Sequence, residues 1–201
     1  MDNINIDAHL WDRFREGDQR AFFQVYDMHV QTLYRYGLKL SNDKELIKDC
    51  IHDLFLELSN SRQTISPTDN IKYYLIKSLK YKIFRNNKFA QNSHHSIDEH
   101  IFQAAASFDH PFDEQESIKK KRRYLRDAIN KLPSRQKEAI YLRYINGLNN
   151  EEIAHVMGIN NQVVRNTLYK AIENLRKSIS KEDLILFLIT PAKKHRPYPR
   201  L

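Results

Sequence analysis

Apolar residues recur three and four positions apart along most of this chain, which is the spacing of one face of an α-helix. A clear example ends near residue 179 and comprises Val164, Leu168, Ala171, Leu175 and Ile179. No stretch shows the alternation of apolar and polar residues that is typical of a half-buried strand. Glycine and proline, which interrupt helices, occur only 4 and 6 times in 201 residues. The sequence therefore predicts an all-α protein.

Interruptions of this helical pattern divide the chain into two small helical domains. Between them, residues 91–117 are polar and carry six acidic and no basic side chains, which indicates a flexible acidic linker. We expect four regions: a first domain over 1–90, the linker over 91–117, a second domain over 118–181 that ends in a helix-turn-helix, and a C-terminal extension over 182–201. Within the extension, the apolar run 184–189 predicts one more helix packed on the second domain.

The net charge of +8 indicates an anionic partner, although its size alone does not separate nucleic acid from a membrane surface. A single cysteine, Cys50, excludes a disulfide framework. The acidic start of the sequence lacks an apolar signal core. The longest strongly apolar run is far shorter than the roughly 20 residues that span a bilayer. We expect a cytoplasmic protein with no membrane insertion, no metal or other cofactor, and no small-molecule substrate.

Residues 150–169 have the pattern of a helix-turn-helix. Such a unit requires a small residue where the second helix crosses the first, and Ala154 occupies that position. It also requires a residue that tolerates positive φ in the turn four positions later, and Gly158 occupies it. The apolar anchors around these two positions are Ile153, Met157, Ile159 and Val164.

The second helix of this unit has two chemically different faces. The apolar run from Val164 to Ile179 forms one face, and amide and basic side chains fall largely on the other. Asn and Gln pair with adenine edges in the major groove, and Arg pairs with guanine. We therefore predict a DNA-reading face composed of Asn161, Gln162, Arg165, Asn166, Tyr169 and Lys170.

Residues 70–90 interleave six basic side chains with aromatic rings and contain no acidic residue. Cations bind phosphates, and aromatic rings stack on unpaired bases at about 1–3 kcal/mol each. Together they suit a strand that has been separated from its complement. The candidate residues are Lys72, Tyr73, Lys77, Lys80, Tyr81, Arg85 and Lys88, whereas Tyr74 and Phe84 are expected in the core.

The helix that is predicted before residues 70–90 carries an acidic face. Asp49, Asp53 and Glu57 are spaced i, i+4 and i+8, so they lie on one side of a helix. Such a row suits a basic partner surface by charge complementarity.

The second half of the chain resembles region 4 of bacterial sigma factors. The stretch Leu132 to Tyr144, which opens L-P-S-R-Q, is similar to the start of that region. The segment Gly147 to Ala154, G-L-N-N-E-E-I-A, is similar to its continuation, and Thr167 to Arg176 is similar to the end of its recognition helix.

The first half resembles sigma region 2. Residues 49–58 are similar to region 2.2, with His52 where glutamine is usual. Ser59, directly after this segment, stands where tryptophan is common. Residues 70–88 are similar to regions 2.3 and 2.4, with Tyr81 where many members carry asparagine. The order and spacing of these segments are typical of the extracytoplasmic-function (ECF) subfamily of the sigma-70 family.

This resemblance implies a sigma factor that binds core RNA polymerase, recognises the −35 and −10 promoter elements and promotes DNA melting. The DNA-reading face would meet the −35 element, and the basic and aromatic helix would bind and open the −10 element. The partners implied are core RNA polymerase, promoter DNA and, as in many relatives, an anti-sigma factor. The residues implied in polymerase binding are Asp49, His52, Asp53, Phe55 and Glu57.

Two other functions remain open at this point. An autonomous helix-turn-helix regulator would bind its operator without polymerase, and it would not need the basic and aromatic helix. A nucleic-acid hydrolase would need carboxylates with metal-binding geometry inside a basic cleft. The acidic residues here lie instead in the linker and in the helix of Asp49, Asp53 and Glu57. Neither the sigma factor nor the regulator requires a catalytic residue, so we expect a protein that is not an enzyme.

Overall fold

The computed structural model describes residues 6–90, Phe102 and residues 116–189. All secondary structure within these residues is helical, which confirms the predicted all-α class. The described residues fall into two compact units. The first unit contains residues 6–90, and the second contains Phe102 together with residues 116–189.

Four helices build the first unit: α1 (Ile6–Arg15), α2 (Gln19–Leu40), α3 (Lys44–Asn60) and α4 (Ile71–Ala90). Aspartates begin two of them. Asp18 accepts hydrogen bonds from two backbone N–H groups at the start of α2, and Asp43 does so at the start of α3. The starts of α2 and α3 therefore follow from capping side chains that are visible in the sequence.

Helix α2 packs against the other three helices of the first unit. Its apolar face closes over a core that includes Trp11, Leu33 and Leu75, each at most 1% exposed. At Gly37 the approach is so close that a Cβ would lie 2.5 Å from Cγ2 of Ile47. Glycine is therefore required where α2 crosses α3.

The second unit contains five α-helices and one π-helical turn: α5 (Glu116–Asn130), α6 (Ser134–Ile140), the turn Tyr141–Ile145, α7 (Asn150–Met157), α8 (Asn161–Arg176) and α9 (Lys181–Ile189). Helix α8 packs on both α6 and α7. The π-helical turn is closed by the N–H of Asn146, which donates to the carbonyl of Tyr141 at 3.1 Å.

The helix that follows Pro133 is short. Pro133 occupies the capping position without a side-chain hydrogen bond, and the α-helix ends at Ile140. Proline favours this start because its fixed φ suits the entry to a helix and it has no N–H to satisfy.

Parts of the predicted C-terminal extension and of the predicted linker belong to the second unit. In the C-terminal extension, α9 buries Leu184, and the ring of Phe187 lies 5.4 Å from that of Tyr144. In the linker, Phe102 is only 2% exposed, and its ring lies 5.6 Å from that of Tyr141. The rest of the predicted linker before Glu116 and residues 190–201 lie outside the described residues.

Candidate functional site

Five of the six residues predicted to read DNA form one exposed row on α8. They are Gln162, Arg165, Asn166, Tyr169 and Lys170, at the spacing i, i+3, i+4, i+7 and i+8. Asn161, at the first position of the helix, is half-buried. The opposite face is buried and consists of Val164, Leu168, Ala171 and Leu175.

The turn before α8 sets the direction of this row. Gly158 ends α7 with φ +66°, the left-handed conformation that the sequence predicted there. The N–H of Ile159 then donates to the carbonyl of Ala154 at 3.0 Å. Asn160 begins α8, because its Oδ1 accepts from the N–H of Val163 at 2.8 Å. The two helices therefore have the short, capped connection of a helix-turn-helix.

Gln162 and Asn166 are joined by a side-chain hydrogen bond, in which Nε2 of Gln162 donates to Oδ1 of Asn166 at 3.1 Å. This bond leaves Oε1 of Gln162 as an acceptor, and Nδ2 of Asn166 and the second proton of Nε2 of Gln162 as donors. If both amides are turned over, an acceptor and donors again remain. The pair therefore presents an amide acceptor beside amide donors, which suits the N6 donor and N7 acceptor of adenine.

Val163 is an exposed apolar residue in the first turn of α8 that the sequence analysis missed. It is 37% exposed and lies beside the row of polar side chains. Its signal in the sequence is an apolar residue directly before Val164, outside the three- and four-residue spacing of the buried face. An aliphatic side chain at such a position can contact the C5-methyl group of thymine.

On α4, the exposed residues form a second row. Lys77, Tyr81 and Arg85 are all exposed and are spaced i, i+4 and i+8, so the row spans about 12 Å along the helix axis. Tyr81 is 67% exposed. The ammonium group of Lys77 lies 5.8 Å from the ring centre of half-buried Tyr73. Cations and aromatic faces therefore alternate on one side of α4.

Lys80 does not share this row. It is only 8% exposed, and its ammonium group lies 5.6 Å from the ring centre of Phe84, so it cannot reach a phosphate without rearrangement. Lys72 is half-buried, and the side-chain surroundings of Lys88 are outside the described part of α4. The sequence pattern could not separate these lysines, because basic residues occur on both faces of the helix.

Tyr74 and Phe84, which were expected in the core, are half-buried. The ring of Tyr74 lies 5.1 Å from that of Trp11. Burial raises the pKa of the Tyr74 hydroxyl above its ordinary value. Tyr74 therefore contributes to the packing of α4 against α1.

The acidic face predicted on α3 is exposed at Asp49, His52 and Asp53. Glu57 is also exposed, but its carboxylate accepts a hydrogen bond from the ammonium group of Lys82 on α4. Phe55 is 4% exposed and belongs to the core, because α3 turns its ring inward toward α2. A direct contact of Phe55 with a partner does not fit this position.

An exposed aromatic patch on α2, which the sequence analysis missed, adjoins α3. Phe23 is 61% exposed, and Tyr26 is 38% exposed with its ring 4.8 Å from that of Phe55. Leu56, on the same face of α3 as Asp53, is 48% exposed. These apolar side chains lie on the faces of α2 and α3 that also carry polar residues, a composition that suits a protein partner.

Two kinds of site are not found in the part of the chain that the structure describes. No three His, Cys, Asp or Glu side chains in it converge in a way that could bind a metal ion. Among the helices of residues 6–90 and 116–189, none combines the length and hydropathy that a bilayer-spanning segment needs.

Comparison with known proteins finds relatives that are similar to this chain over most of its length. The family described as sigma-70, region 4 matches residues 122–175, which run from α5 into the end of α8. The chain is 27% identical to RNA polymerase sigma factor SigV of Bacillus subtilis, over 78% of this chain and 89% of that protein. It is 24% identical to RNA polymerase sigma factor CarQ of Myxococcus xanthus, over 86% and 97%. It is also 24% identical to ECF RNA polymerase sigma factor SigM of Bacillus subtilis, over 76% and 91%.

Two solved structures share the fold. One is CnrH in complex with the cytosolic domain of CnrY, with a TM-score of 0.55 and 18% identity over 85% of this chain and 95% of that one. The other is RpoE in complex with the anti-sigma factor NepR from Bartonella quintana, with a TM-score of 0.54 and 18% identity over 81% and 99%. The region 4 match, the relatives that span most of the chain and the shared helical fold agree. Over most of its length this chain is therefore similar to sigma factors of the ECF subfamily of the sigma-70 family.

Proposed function

We propose that this chain is an ECF sigma factor that binds core RNA polymerase, recognises the −35 and −10 promoter elements and promotes DNA melting for transcription initiation. The observation that carries the proposal is the exposed row Lys77, Tyr81 and Arg85 on α4. A protein that reads only duplex DNA does not require an aromatic residue such as Tyr81, which is 67% exposed, between two cations. A separated strand needs both, because its phosphates are charged and its bases expose their flat faces.

The work is divided between the two units in this proposal. The exposed row of α8 enters the major groove of the −35 element and reads base edges. The row on α4 holds the strand that is released at the −10 element. Binding energy then stabilises the opened DNA, so no bond is made or broken by the protein.

We propose the acidic face of α3 as the polymerase contact. Asp49, His52 and Asp53 supply charge and hydrogen-bonding groups, and Glu57 joins them through its exposed carboxylate. The neighbouring patch of Phe23, Tyr26 and Leu56 supplies the apolar area that a stable interface needs. We propose the domain boundaries at residues 90, 117 and 181 as functional ones, although α5 begins at Glu116 and α9 at Lys181.

An inhibitory protein partner is part of the proposal. The structural relatives CnrH and RpoE were each solved with a bound protein, and the partner of RpoE is named an anti-sigma factor. We propose that this chain is also held inactive by such a protein. A pull-down of the tagged chain from its own cells, with a Phe23→Ala variant beside it, tests this part directly.

Run-off transcription tests the central proposal. Core polymerase is supplied with and without this chain on a promoter library, and only the mixture with the chain is expected to give discrete transcripts. Co-elution of the chain with core polymerase is expected to weaken in a Asp49→Ala, Asp53→Ala double variant. A chain that binds its operator in a gel shift without polymerase, and gives no transcript with it, would be the autonomous regulator instead.

Two variants separate reading from melting. Tyr81→Ala is expected to lose transcription on duplex templates and to regain most of it on a template whose −10 element is already unpaired. Arg165→Ala is expected to lose transcription on both, because it acts at the duplex −35 element. Arg176→Ala is a matched control, since it removes the same charge from α8 at the end of the helix, outside the exposed row.

A further inference from the structure

The connection between α3 and α4, residues 61–70, is tied to helix α1 through its backbone. Nε1 of Trp11 donates to the carbonyl of Ser66 at 2.9 Å. Nε of Arg15 donates to the carbonyl of Ile65 at 3.0 Å. These two donors come from positions one turn apart on α1 and reach adjacent carbonyls that lie 55 and 50 residues away in sequence.

Helix α1 also contacts the first turn of α4. Oδ2 of Asp7 accepts from the backbone N–H of Ile71 at 3.3 Å, so a side chain of α1 caps the start of α4. Trp11 is fully buried, and its ring lies 5.1 Å from that of Tyr74. One helix therefore fixes both the connection and the helix that follows it.

A further contact lies at the end of α1. A Cβ on Gly17 would lie 3.4 Å from Nε of Arg62, so the arginine side chain rests on the turn between α1 and α2. The side chains of Arg62, Gln63 and Thr64 are exposed. With two carbonyls and one side chain held, the connection has a defined direction although it has no regular secondary structure.

We propose that Trp11 and Arg15 are positioning residues for the −10 site. They hold residues 61–70 against the start of α4 and thereby orient the connection and the first cation–aromatic pair, Lys77 and Tyr73, toward the separated strand. Neither residue contacts DNA in this proposal. The inference rests on the proposed function for its final step, whereas the ordering of the connection by α1 does not depend on it.

Arg15 offers the cleanest test, because it has a second partner that can be removed separately. Nη1 of Arg15 contacts Oδ1 of Asp12 at 3.3 Å. Arg15→Met removes both interactions and keeps the aliphatic stem, Arg15→Lys keeps a cationic donor, and Asp12→Ala removes only the ion pair. Trp11→Phe is a second variant, which keeps a ring in the core and removes the N–H donor.

Amide hydrogen exchange on the full chain measures the positioning directly. The N–H groups of Thr64, Ile65 and Ile71 are hydrogen-bonded in the structure. In Arg15→Met we expect their exchange to be about tenfold faster, in line with the loss of one hydrogen bond to a charged group. Arg15→Lys is expected to fall between it and the wild type, and Asp12→Ala to match the wild type. Unchanged exchange in both Arg15→Met and Trp11→Phe would overturn the positioning role.

Binding to DNA decides the link to the −10 site. The variant chains are loaded on core polymerase, and their affinity is measured for a single-stranded −10 oligonucleotide taken from the active promoters of the library. Arg15→Met is expected to bind this strand several-fold more weakly and to bind a duplex −35 oligonucleotide like the wild type. Faster exchange with unchanged strand binding would overturn the link, provided that Tyr81→Ala does weaken binding. If Tyr81→Ala binds normally as well, the −10 assignment of the proposed function has failed, and exchange still decides the role of α1.

Discussion

At the scale of single residues, the hydrogen bond between Gln162 and Asn166 fixes two amide groups side by side on the face of α8 that we propose reads DNA. The pair keeps an acceptor beside its donors, so it can accept from N6 and donate to N7 of adenine, whereas guanine presents two acceptors at the same edge and leaves the amide acceptor without a donor. We predict that Asn166→Ala relaxes the preference for adenine at one position of the −35 element. A correct bidentate contact discriminates by about 1–3 kcal/mol, so the expected change in preference is roughly fivefold or more.

Selection from a library randomised at the −35 element measures this preference. Arg176→Ala is the control, and its selected sequences are expected to match those of the wild type. Lys170→Ala is expected to weaken binding to all sequences alike and to reduce the dependence of affinity on salt, as for a phosphate contact. The same selected sequences from Asn166→Ala and the wild type would contradict adenine reading by the pair.

A second residue, Lys39 in α2, predicts a dependence of stability on pH. The side chain is buried, with 1% of the residue exposed, and burial lowers its pKa from 10.5 to about 8. The unfolded chain therefore binds more protons than the folded one between these two values. Stability should rise with pH from about 8 to 10.5 through this group, and the cost of burying the charge should be fully present below pH 8.

Denaturant unfolding of the wild type and Lys39→Met at several pH values isolates this contribution. Other groups titrate in both proteins, so their effects cancel in the difference between the two free energies of unfolding. We expect the wild type to gain stability relative to Lys39→Met as the pH rises through the window. A difference that stays constant with pH would show that Lys39 keeps its ordinary pKa in the fold.

At the scale of helices, the contact between Glu57 on α3 and Lys82 on α4 is asymmetric. The side chain of Lys82 is 7% exposed, whereas that of Glu57 is 62% exposed. Glu57→Gln leaves a buried ammonium group without its counter-charge, and we expect a loss of about 1–3 kcal/mol. Lys82→Met removes the buried charge and leaves a solvated carboxylate, so we expect a loss below about 1 kcal/mol.

Chemical denaturation of the two single variants and the double variant tests this asymmetry. The double variant should have the stability of Lys82→Met, because no buried ammonium group then remains for the residue at position 57 to neutralise. Equal losses in the two single variants would contradict the assignment of the cost to Lys82.

The helices also show which features could be predicted from the sequence. The exposed row of α8 followed from local spacing, because Val164 and its partners mark the buried side without ambiguity. Ala154 and Gly158 were predictable for a similar reason, since backbone geometry restricts what those positions tolerate. In α4, by contrast, Lys80 and Lys82 are buried by contacts that only the packing of other helices determines.

The hydrogen bonds between α1 and residues 61–70 also could not be predicted from the sequence. Trp11 and Arg15 look like ordinary members of an amphipathic helix, and their partners are backbone carbonyls, which leave no trace in residue identity. The π-helical turn after Ile140 had no signal either, because Tyr141 to Ile145 are compatible with an ordinary helix.

At the scale of the whole molecule, Phe102 changes where the second unit begins. It belongs to the predicted linker by its surroundings in sequence, yet it is buried against Tyr141. Phe102 is therefore part of the second unit, although it precedes α5 in the sequence. The predicted linker thus contains a residue that packs on the domain that follows it.

The last prediction tests this anchor by using the chain's single tryptophan. Trp11 lies in the core of the first unit, so its fluorescence reports unfolding of that unit, whereas circular dichroism reports both. Phe102→Ala removes a buried ring from the second unit, and such truncations in a core cost about 3–5 kcal/mol. We expect the dichroism transition to lose stability while the tryptophan transition stays in place.

Tyr124→Ala is the matched control, because it removes a ring that is 60% exposed in the same unit. Exposed substitutions of this kind change stability by about 0.5 kcal/mol or less. Two variants with the same dichroism midpoint would mean that Phe102 contributes no more than a surface ring. A lower midpoint for Phe102→Ala alone would establish that Phe102 fastens the linker to the second unit, which we propose reads the −35 element.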